Sequence, residues 1–297
     1  ILPKYLFYVV KYMNLEKYFT GATIPHIYFK DYKNEEFNFD FWERQVEIVS
    51  VLSKCEKVID LCKQELQLLD KLIKARFVEL FGDPVSNSYG LPEATLPDLG
   101  EFGRGVSKHR PRNDIKLLGG KYPLIQTGDV ANAGLYITSY SSTYSELGLK
   151  QSKMWDKGTL CITIAANIAK TAILEFDACF PDSVVGFIAN ERTNNIFVHY
   201  WFSFFQAILE SQAPESAQKN INLKILSELK VIVPEKRKQD QFASFVKLTD
   251  KSEFVERFPE FSLFYRLFSP LDSEMICIFP YFYPCEESAR EIREIFI

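Results

Sequence analysis

The stretch VLSKCEKVIDLCKQELQLLDKLIKARFVELFGDP (51–84) holds most of a run, from Asp40 to about Phe81, that contains neither glycine nor proline, and it ends just beyond that run. Within this run, apolar residues recur at alternating steps of four and three, which is the a and d spacing of a coiled-coil helix. We predict a helix of about 42 residues and about 60 Å, ended by the Gly82-Asp83-Pro84 turn. Its apolar seam consists of Ile48, Leu52, Cys55, Ile59, Cys62, Leu66, Leu69 and Ile73, followed by Leu80, with Arg76 out of pattern.

Long helices of this kind serve as spacers or dimerisation arms, and an internal helix of a bundle is the alternative. Cys55 and Cys62 lie two turns apart, a rise of about 10.5 Å, which is too far for a disulfide or a shared zinc ion. We interpret both as apolar residues of the seam. Five further apolar residues widen the stripe, so the helix is expected to bury more than one narrow face: Val51, Val58, Leu61, Leu68 and Leu72.

The composition indicates a globular protein. The 297 residues are 47 % hydrophobic with a formal net charge of −4, which predicts about two domains. No run of about eighteen apolar residues occurs, and Lys4 and Lys11 interrupt the apolar start, so neither a membrane span nor a secretory signal is predicted. The six cysteines form no CxxC pair, which argues against a disulfide framework. We therefore predict a cytoplasmic chain with reduced thiols.

Residues 85–236 have a different texture from the helix. Short β-branched or aromatic runs (YPLIQT, LYITSY, GTLCITIA, TAILEF, SVVGFIA, LKVIVP) are separated by Gly, Asn, Asp and Pro, a pattern typical of strands and turns. One helix, FVHYWFSFFQAILES at 197–211, interrupts the series. The predicted fold class is α+β: a strand-rich globular domain attached to a long coiled-coil spacer helix.

The chain also carries signs of an internal repeat. YLFYVVKYMNLEKYF (5–19) is an aromatic helix like 197–211, and each leads to a helix entered through a glutamine, Gln45 or Gln241. The offset of about 196 residues indicates a duplicated unit of globular domain followed by helix. We predict five segments: 1–39, the C-terminal remnant of a first globular domain; 40–84, the spacer helix; 85–236, a globular domain; 237–258, the start of a second spacer helix; and 259–297, a divergent tail of unknown role.

Positive charge is concentrated in one stretch of a neutral block. Residues 85–236 hold 15 basic and 15 acidic side chains, whereas 104–121 holds six basic residues and a single acidic one, Asp114. Such a local surplus favours docking onto a polyanion, and a solvated loop is the alternative. Two more polar loops, Gln126-Thr127-Gly128-Asp129 and 216–222, carry residue types that contact phosphates and base edges.

The sequence offers little catalytic chemistry. Its three histidines show no metal-ligand spacing, and no phosphate-binding P-loop motif is present. FGRG (102–105) is followed by the basic, proline-broken VSKHRPRND rather than by the helix that a glycine-rich cofactor turn requires. The Asn/Asp-Pro-Pro-aromatic run expected of a base-modifying methyltransferase is also absent. We predict a chain with no active site, cofactor or metal of its own.

The order of these sequence motifs resembles that of a known family. Residues 51–84 resemble the first conserved spacer helix of type I restriction-modification specificity subunits. YPLIQTGDVANAGLYI, GLKQSK, KGTLCITIAANIAKTAI, DACFPDSVVGFIA and SAQKNINLKILSELKVIVPEKRKQDQFASF resemble, in the family's order, one of their target recognition domains. Residues 5–45 resemble the tail of the other one. The resemblance covers about residues 5–255.

The resemblance implies a non-catalytic subunit in which two recognition domains, held apart by paired helices, each read one half of a split site in double-stranded DNA. Its partners would be adenine-methylase subunits, which use S-adenosylmethionine, and restriction/translocase subunits, which use ATP and Mg. In that case 85–236 is a target recognition domain and 1–39 is the remnant of another. The candidate DNA contacts are then Arg104, Lys108, Arg110, Arg112, Gln126, Thr127, Lys170, Gln218, Lys219 and Asn220.

The sequence departs from the family at two places. Relatives often have Ile-Gly-Lys where this chain has Ile168-Ala169-Lys170, so the backbone conformation there is a point to test. Prolines at 259, 270, 280 and 284 exclude one continuous partner helix, which leaves the seam without its usual intrachain partner. We expect the 40–81 helix to self-associate, or to pack against a methylase subunit or the tail. Two alternatives stay open: an interaction scaffold that does not bind DNA, and the recognition portion of a fused restriction-methylation enzyme.

Overall fold

A computed structural model describes residues 1–20, 26–165, 168–212 and 221–249. Its α-helices in these ranges are α1 (Pro3–Tyr12), α2 (Phe29–Tyr32), α3 (Trp42–Phe81), α4 (Leu96–Leu99), α5 (Thr127–Asn132), α6 (Glu146–Lys150), α7 (Asn195–Gln212), α8 (Leu223–Glu228) and α9 (Lys236–Leu248). Its strands there are β1 (Glu93–Ala94), β2 (Gly100–Arg104), β3 (Leu118–Leu124), β4 (Tyr136–Ile137), β5 (Ser142–Tyr144), β6 (Met154–Trp155), β7 (Leu160–Thr163), β8 (Thr171–Leu174), β9 (Ala178–Cys179), β10 (Val184–Ala189) and β11 (Val231–Ile232). Short 3-10 helices span Leu15–Tyr18 and Ile115–Leu117.

The predicted fold class is confirmed, because one long helix is joined to a strand-rich domain. Within the described residues the chain divides between Leu69 and Asp70 into two compact units. The C-terminal part of α3 therefore belongs to the second unit, together with all of the described strands. The proposed tail, 259–297, lies outside the described residues.

In the first unit, α1 packs on the N-terminal turns of α3. Tyr5 and Tyr8 are buried against Ile48 and Leu52. The Tyr5 hydroxyl donates a hydrogen bond to Asp40 Oδ2 at 2.6 Å, and the Tyr8 hydroxyl donates one to Glu56 Oε2 at 2.7 Å. These bonds satisfy the polar ends of two buried aromatic side chains.

The second unit is built on two main sheets. One has the strand order β2-β10-β7-β8-β4, in which only the β8/β4 pair is parallel. The other has the order β5-β3-β9-β6, in which β3 and β9 are parallel and the outer pairs are antiparallel. A third, two-stranded sheet pairs β1 with β11. The helices α7 and α9 and the end of α3 contribute to the largest apolar core of this unit.

The end of the helix seam differs from the prediction. Phe77 and Phe81 are fully buried, whereas Leu80, which the heptad assigned to the seam, is half-buried. Phe77 stacks on Phe197 of α7 at a centroid separation of 5.3 Å and meets Phe242 of α9 edge-on at the same separation. A straight helix has 3.6 residues per turn, so its buried face drifts by about 20° per heptad away from a 3.5-residue seam.

Burial along the predicted seam is uneven. Ile48, Leu52 and Ile73 are buried, and the five seam residues between them are half-buried: Cys55, Ile59, Cys62, Leu66 and Leu69. The flanking residues that were expected to widen the buried stripe are 41–61 % exposed: Val51, Val58, Leu61, Leu68 and Leu72. The middle of α3 therefore presents an apolar face to its surroundings.

The structure also corrects the alignment of the internal repeat. Gln45, on the first turn of α3, donates from Nε2 to the carbonyl of Asp40, five residues earlier, at 2.7 Å. Gln239, on the first turn of α9, donates from Nε2 to the carbonyl of Pro234, also five residues earlier, at 2.8 Å. Both glutamines are buried, whereas Gln241 is exposed. Gln239 is therefore the counterpart of Gln45, and the pairing with Gln241 was wrong.

Candidate nucleic-acid interface

Three loops leave the four-stranded sheet at the same edge. Because β3 and β9 run parallel, with Leu124 opposite Cys179, the residues after each strand emerge together. The Ile125 N–H donates to the Cys179 carbonyl at 2.9 Å, and Gln126 and Asp182 follow within three residues of these positions. β6 is antiparallel to β9 and starts at Met154, opposite Cys179, so the residues 150–153 that precede it lie at this edge as well.

The five-stranded sheet delivers its own loops to the same edge. β2 ends at Arg104, opposite Val185 near the start of β10. The Gly105 N–H donates to the Val184 carbonyl at 2.9 Å, and the Ile164 N–H donates to the Ser183 carbonyl at 3.0 Å. Lys170 is close by, because its carbonyl accepts the N–H of Thr163, the last residue of β7, at 2.9 Å. These loops thus share one edge, here called the loop edge: Arg104 to Asp114, Gln126 and Thr127, 150–153, Lys170 and Phe180 to Asp182.

The basic loop, defined here as residues 105–114, is fastened to this edge by its backbone. The Ser152 hydroxyl donates to the Val106 carbonyl at 2.7 Å, and the His109 N–H donates to Gln151 Oε1 at 3.0 Å. A Cβ atom at Gly105 would lie 2.3 Å from the Phe180 carbonyl oxygen and 2.5 Å from that of Pro181. Close backbone packing thus explains the glycine at position 105 of the FGRG motif.

Side chains inside the basic loop pair with carboxylates. Arg110 and Arg112 both contact Asp182, and the Arg110 Nη2–Oδ2 distance is 3.5 Å. His109 Nε2 lies 3.1 Å from Asp114 Oδ2. The pKa of the Asp114 carboxyl is lowered, chiefly because its Oδ1 accepts the backbone N–H of Lys116 and in part because of His109.

Other cations at the loop edge are not paired in this way. Arg104 and Lys108 are exposed and Lys170 is half-exposed, and none of their side chains forms a hydrogen bond or ion pair with any residue that the structure describes. Unpaired cations at the ends of strands can approach phosphate groups without first breaking an internal bond. These three residues are therefore cations of the site that are available to an anionic ligand, as is exposed Lys150.

The remaining predicted contacts have mixed outcomes. Gln126 is exposed and precedes α5, where its N–H donates to Asp129 Oδ2 at 2.7 Å, and Thr127 is half-buried as the first residue of that helix. Gln218, Lys219 and Asn220 lie outside the described residues. Asp182 was not among the predicted residues, because nothing in the surrounding FPDS (180–183) links it to arginines 70 and 72 residues earlier in the chain.

Ala169 keeps the backbone conformation that glycine favours. Its φ of 57° lies in the left-handed region, which costs a residue with a Cβ about 1–2 kcal/mol. The Ala169 N–H donates to the Thr163 carbonyl at 2.9 Å, and its side chain is buried. The turn that relatives often build with glycine is thus formed here with alanine.

The described ranges contain neither a cluster of metal ligands nor a membrane-spanning helix. There, no group of three or more His, Cys, Asp or Glu side chains is arranged to hold a metal ion. In the same ranges no helix has both the length and the apolar character needed to cross a membrane.

Comparison with known proteins identifies a family. The profile described as "Type I restriction modification DNA specificity domain" matches residues 93–257, more than half of the chain. A Methanocaldococcus jannaschii protein named "Putative type I restriction enzyme MjaX specificity subunit" is 22 % identical over 270 residues, which covers 86 % of this chain and 63 % of that protein. This chain thus spans less than two thirds of that relative's length.

Solved structures are also similar to this chain. The type I restriction-modification system S subunit from M. genitalium aligns with 94 % of this chain and 73 % of its own, with a TM-score of 0.53 and 17 % identity. The HsdS subunit from Thermoanaerobacter tengcongensis aligns with 100 % of this chain and 70 % of its own, with a TM-score of 0.49 and 14 % identity. The first of these likenesses supports the α+β fold with a long helix.

Proposed function

The chain belongs to the family of type I restriction-modification DNA specificity domains, and from this premise we propose that it recognises one half of a split site in double-stranded DNA. The loop edge is the proposed DNA-facing surface. The observation that carries the proposal is the convergence at this edge of the basic loop, the Gln126–Thr127 segment and Lys170 from different strands.

The chemistry of the loop edge suits a nucleic acid. Lysine, arginine and backbone amides bind phosphates, whereas glutamine and threonine side chains can bind base edges. Arg104, Lys108 and Lys170 supply positive charge without internal partners among the described residues. Gln126 adds an exposed amide at the same edge. A rigid set of strand ends carrying such loops is a suitable scaffold for sequence readout.

We further propose that the chain is a non-catalytic scaffold for other subunits. Adenine methylation with S-adenosylmethionine, and ATP- and Mg-dependent restriction, would belong to methylase and restriction/translocase partners. The exposed apolar face in the middle of α3 supports this proposal, since such a face favours contact with another chain. A second copy of the chain is an alternative occupant of that face. A cytoplasmic location follows from the proposed function.

The first experiment is to co-express the chain with its cognate methylase and to map methylated adenines in the host genome. A defined split or palindromic motif is expected. The absence of methylation, combined with no salt-dependent binding to duplex DNA, would overturn the proposal in favour of a scaffold that does not bind DNA. A methylase sequence in the same gene would instead indicate the recognition portion of a fused enzyme.

A second experiment tests the surface itself. If Arg104 contacts a phosphate, the dependence of log K on log salt concentration should flatten by about 0.9 in Arg104→Ala. Lys157→Ala is a matched control, because Lys157 is exposed, follows β6 and lies at the opposite end of the sheet, where it pairs with Glu175. An equal effect of both substitutions would argue against the loop edge as the DNA-binding surface.

A further inference from the structure

Asp182 is the residue of the loop edge that pairs with two arginines of the basic loop. It lies between β9 and β10 and is the carboxylate that Arg110 and Arg112 share, one guanidinium group on each carboxylate oxygen. Its side chain is 34 % exposed, and those of the two arginines are 54 % and 46 % exposed. A negative charge at a surface that is proposed to meet DNA requires a reason, because it repels phosphate groups.

The geometry of Arg110 supplies that reason. Besides its contact with Asp182, Arg110 Nη1 donates to the Ser107 carbonyl at 2.6 Å and to the His109 carbonyl at 2.8 Å. The guanidinium group thus closes its own loop by binding two backbone carbonyls from one side and Asp182 from the other. Arginine, with several donors in a rigid planar fork, is well suited to such a set of bonds.

The Asp182 contacts with the loop's arginine side chains add to the hydrogen bonds and packing contacts that hold the backbone of the basic loop. Gln151 and Ser152 hold residues 106–109 from the β6 side, and Gly105 packs directly on the Phe180 and Pro181 carbonyls. Asp182 follows Pro181 directly and binds the far side of the loop. We propose that Asp182 is a positioning residue, which, with Arg110 and Arg112, holds the basic loop in one conformation so that Arg104 and Lys108 can contact phosphates. The proposal rests on the proposed DNA-binding function and revises the role of two predicted contacts.

The direction in which Asp182→Asn changes DNA affinity distinguishes a positioning role from a purely electrostatic effect. Asp182→Asn removes a negative charge, so electrostatics alone would strengthen DNA binding. If Asp182 positions the loop, binding should weaken, by about three- to tenfold for the loss of two exposed ion pairs. The control is Asp156→Asn, which removes an exposed carboxylate after β6, at the opposite end of the same sheet. The control is expected to bind DNA as tightly as the original chain or slightly more tightly.

Two further variants test the geometry. Arg110→Lys keeps the positive charge but loses the fork, so it should weaken binding about as much as Asp182→Asn. Asp182→Glu keeps the carboxylate and should restore most of the affinity. Unchanged or tighter binding by Asp182→Asn, or wild-type binding by Arg110→Lys, would overturn the positioning role.

A readout that needs no DNA keeps the inference separate from the proposed function. Trypsin can cut the basic loop after Lys108 and Arg112, and cleavage there is expected to be several times faster in Asp182→Asn than in Asp156→Asn. If the original chain binds no duplex DNA, the proposed function fails, but this rate still decides whether Asp182 holds the loop. Equal cleavage rates in the two variants would refute the positioning role.

Discussion

Phe77→Ala should destabilise the second unit strongly, although the sequence assigns Phe77 to the spacer helix (40–84) and not to the globular domain (85–236). The ring is fully buried and lies within 5.3 Å, centroid to centroid, of the rings of Phe81, Phe197, Phe204 and Phe242. Truncating such a residue costs about 3–5 kcal/mol, because the lost transfer free energy is joined by the cost of a cavity. With a urea m-value of about 2 kcal/mol/M, the unfolding midpoint should fall by about 2 M.

The assay is urea unfolding followed by the fluorescence of Trp155 and Trp201, both of which are buried in the second unit. Val78→Ala is the matched control: it is the next residue on the helix, is 38 % exposed and should cost less than about 1 kcal/mol. A midpoint for Phe77→Ala close to that of Val78→Ala would refute the reasoning. It would mean that the end of the helix is not part of the domain core.

Three other predictions follow from the structure. Ala169→Gly should change the free energy of unfolding by less than about 1 kcal/mol, because relief of the left-handed φ offsets the lost burial of the methyl group and the added entropy of the unfolded chain. Ala169→Val should instead cost about 2 kcal/mol or more. Equal unfolding midpoints for the two variants would contradict this prediction. Burial raises the pKa of the Cys161 thiol, so iodoacetamide at pH 8 should alkylate Cys161 only when the protein unfolds. Half-buried Cys62 should react much earlier. Peptide mass spectrometry measures both rates, and equal rates would contradict this prediction. Leu61→Glu combined with Leu68→Glu should abolish either self-association in light scattering or co-purification with the methylase, and an original chain that shows neither association would refute the expected role of the apolar face.

The helix illustrates how far periodicity predicts burial. The seam residues from Ile48 to Ile73 follow the heptad, and each of these eight is buried or half-buried in the structure. Beyond Ile73 the pattern fails, because burial there is decided by the aromatic residues of α7 and α9, more than a hundred residues away in the chain. A heptad describes a partner that runs alongside a helix, whereas Phe77 packs against single aromatic rings of α7 and α9.

The repeat illustrates a limit of matching by residue type. Gln45 and Gln241 each precede an apolar run, so the sequence allows them to be paired. The structure instead pairs Gln45 with Gln239, because each of these two side chains binds the carbonyl five residues before it and stands three residues before a buried apolar one, Ile48 or Phe242. The equivalent glutamine is determined by its hydrogen bond to the backbone, which cannot be read from the sequence.

The candidate site depends on the same distinction between composition and contact. Polar and basic loops could be found from residue types alone, but their common location follows from the strand orders β2-β10-β7-β8-β4 and β5-β3-β9-β6, which join distant parts of the chain. Counting charges also treats the cations of the basic stretch as equivalent. The structure separates them, because the side chains of Arg110 and Arg112 bind Asp182 whereas those of Arg104 and Lys108 bind no described residue. If phosphate contacts follow availability rather than number, Arg104→Ala and Lys108→Ala should each flatten the salt dependence of DNA binding by about 0.9, whereas Arg112→Ala should weaken binding with little change in that slope.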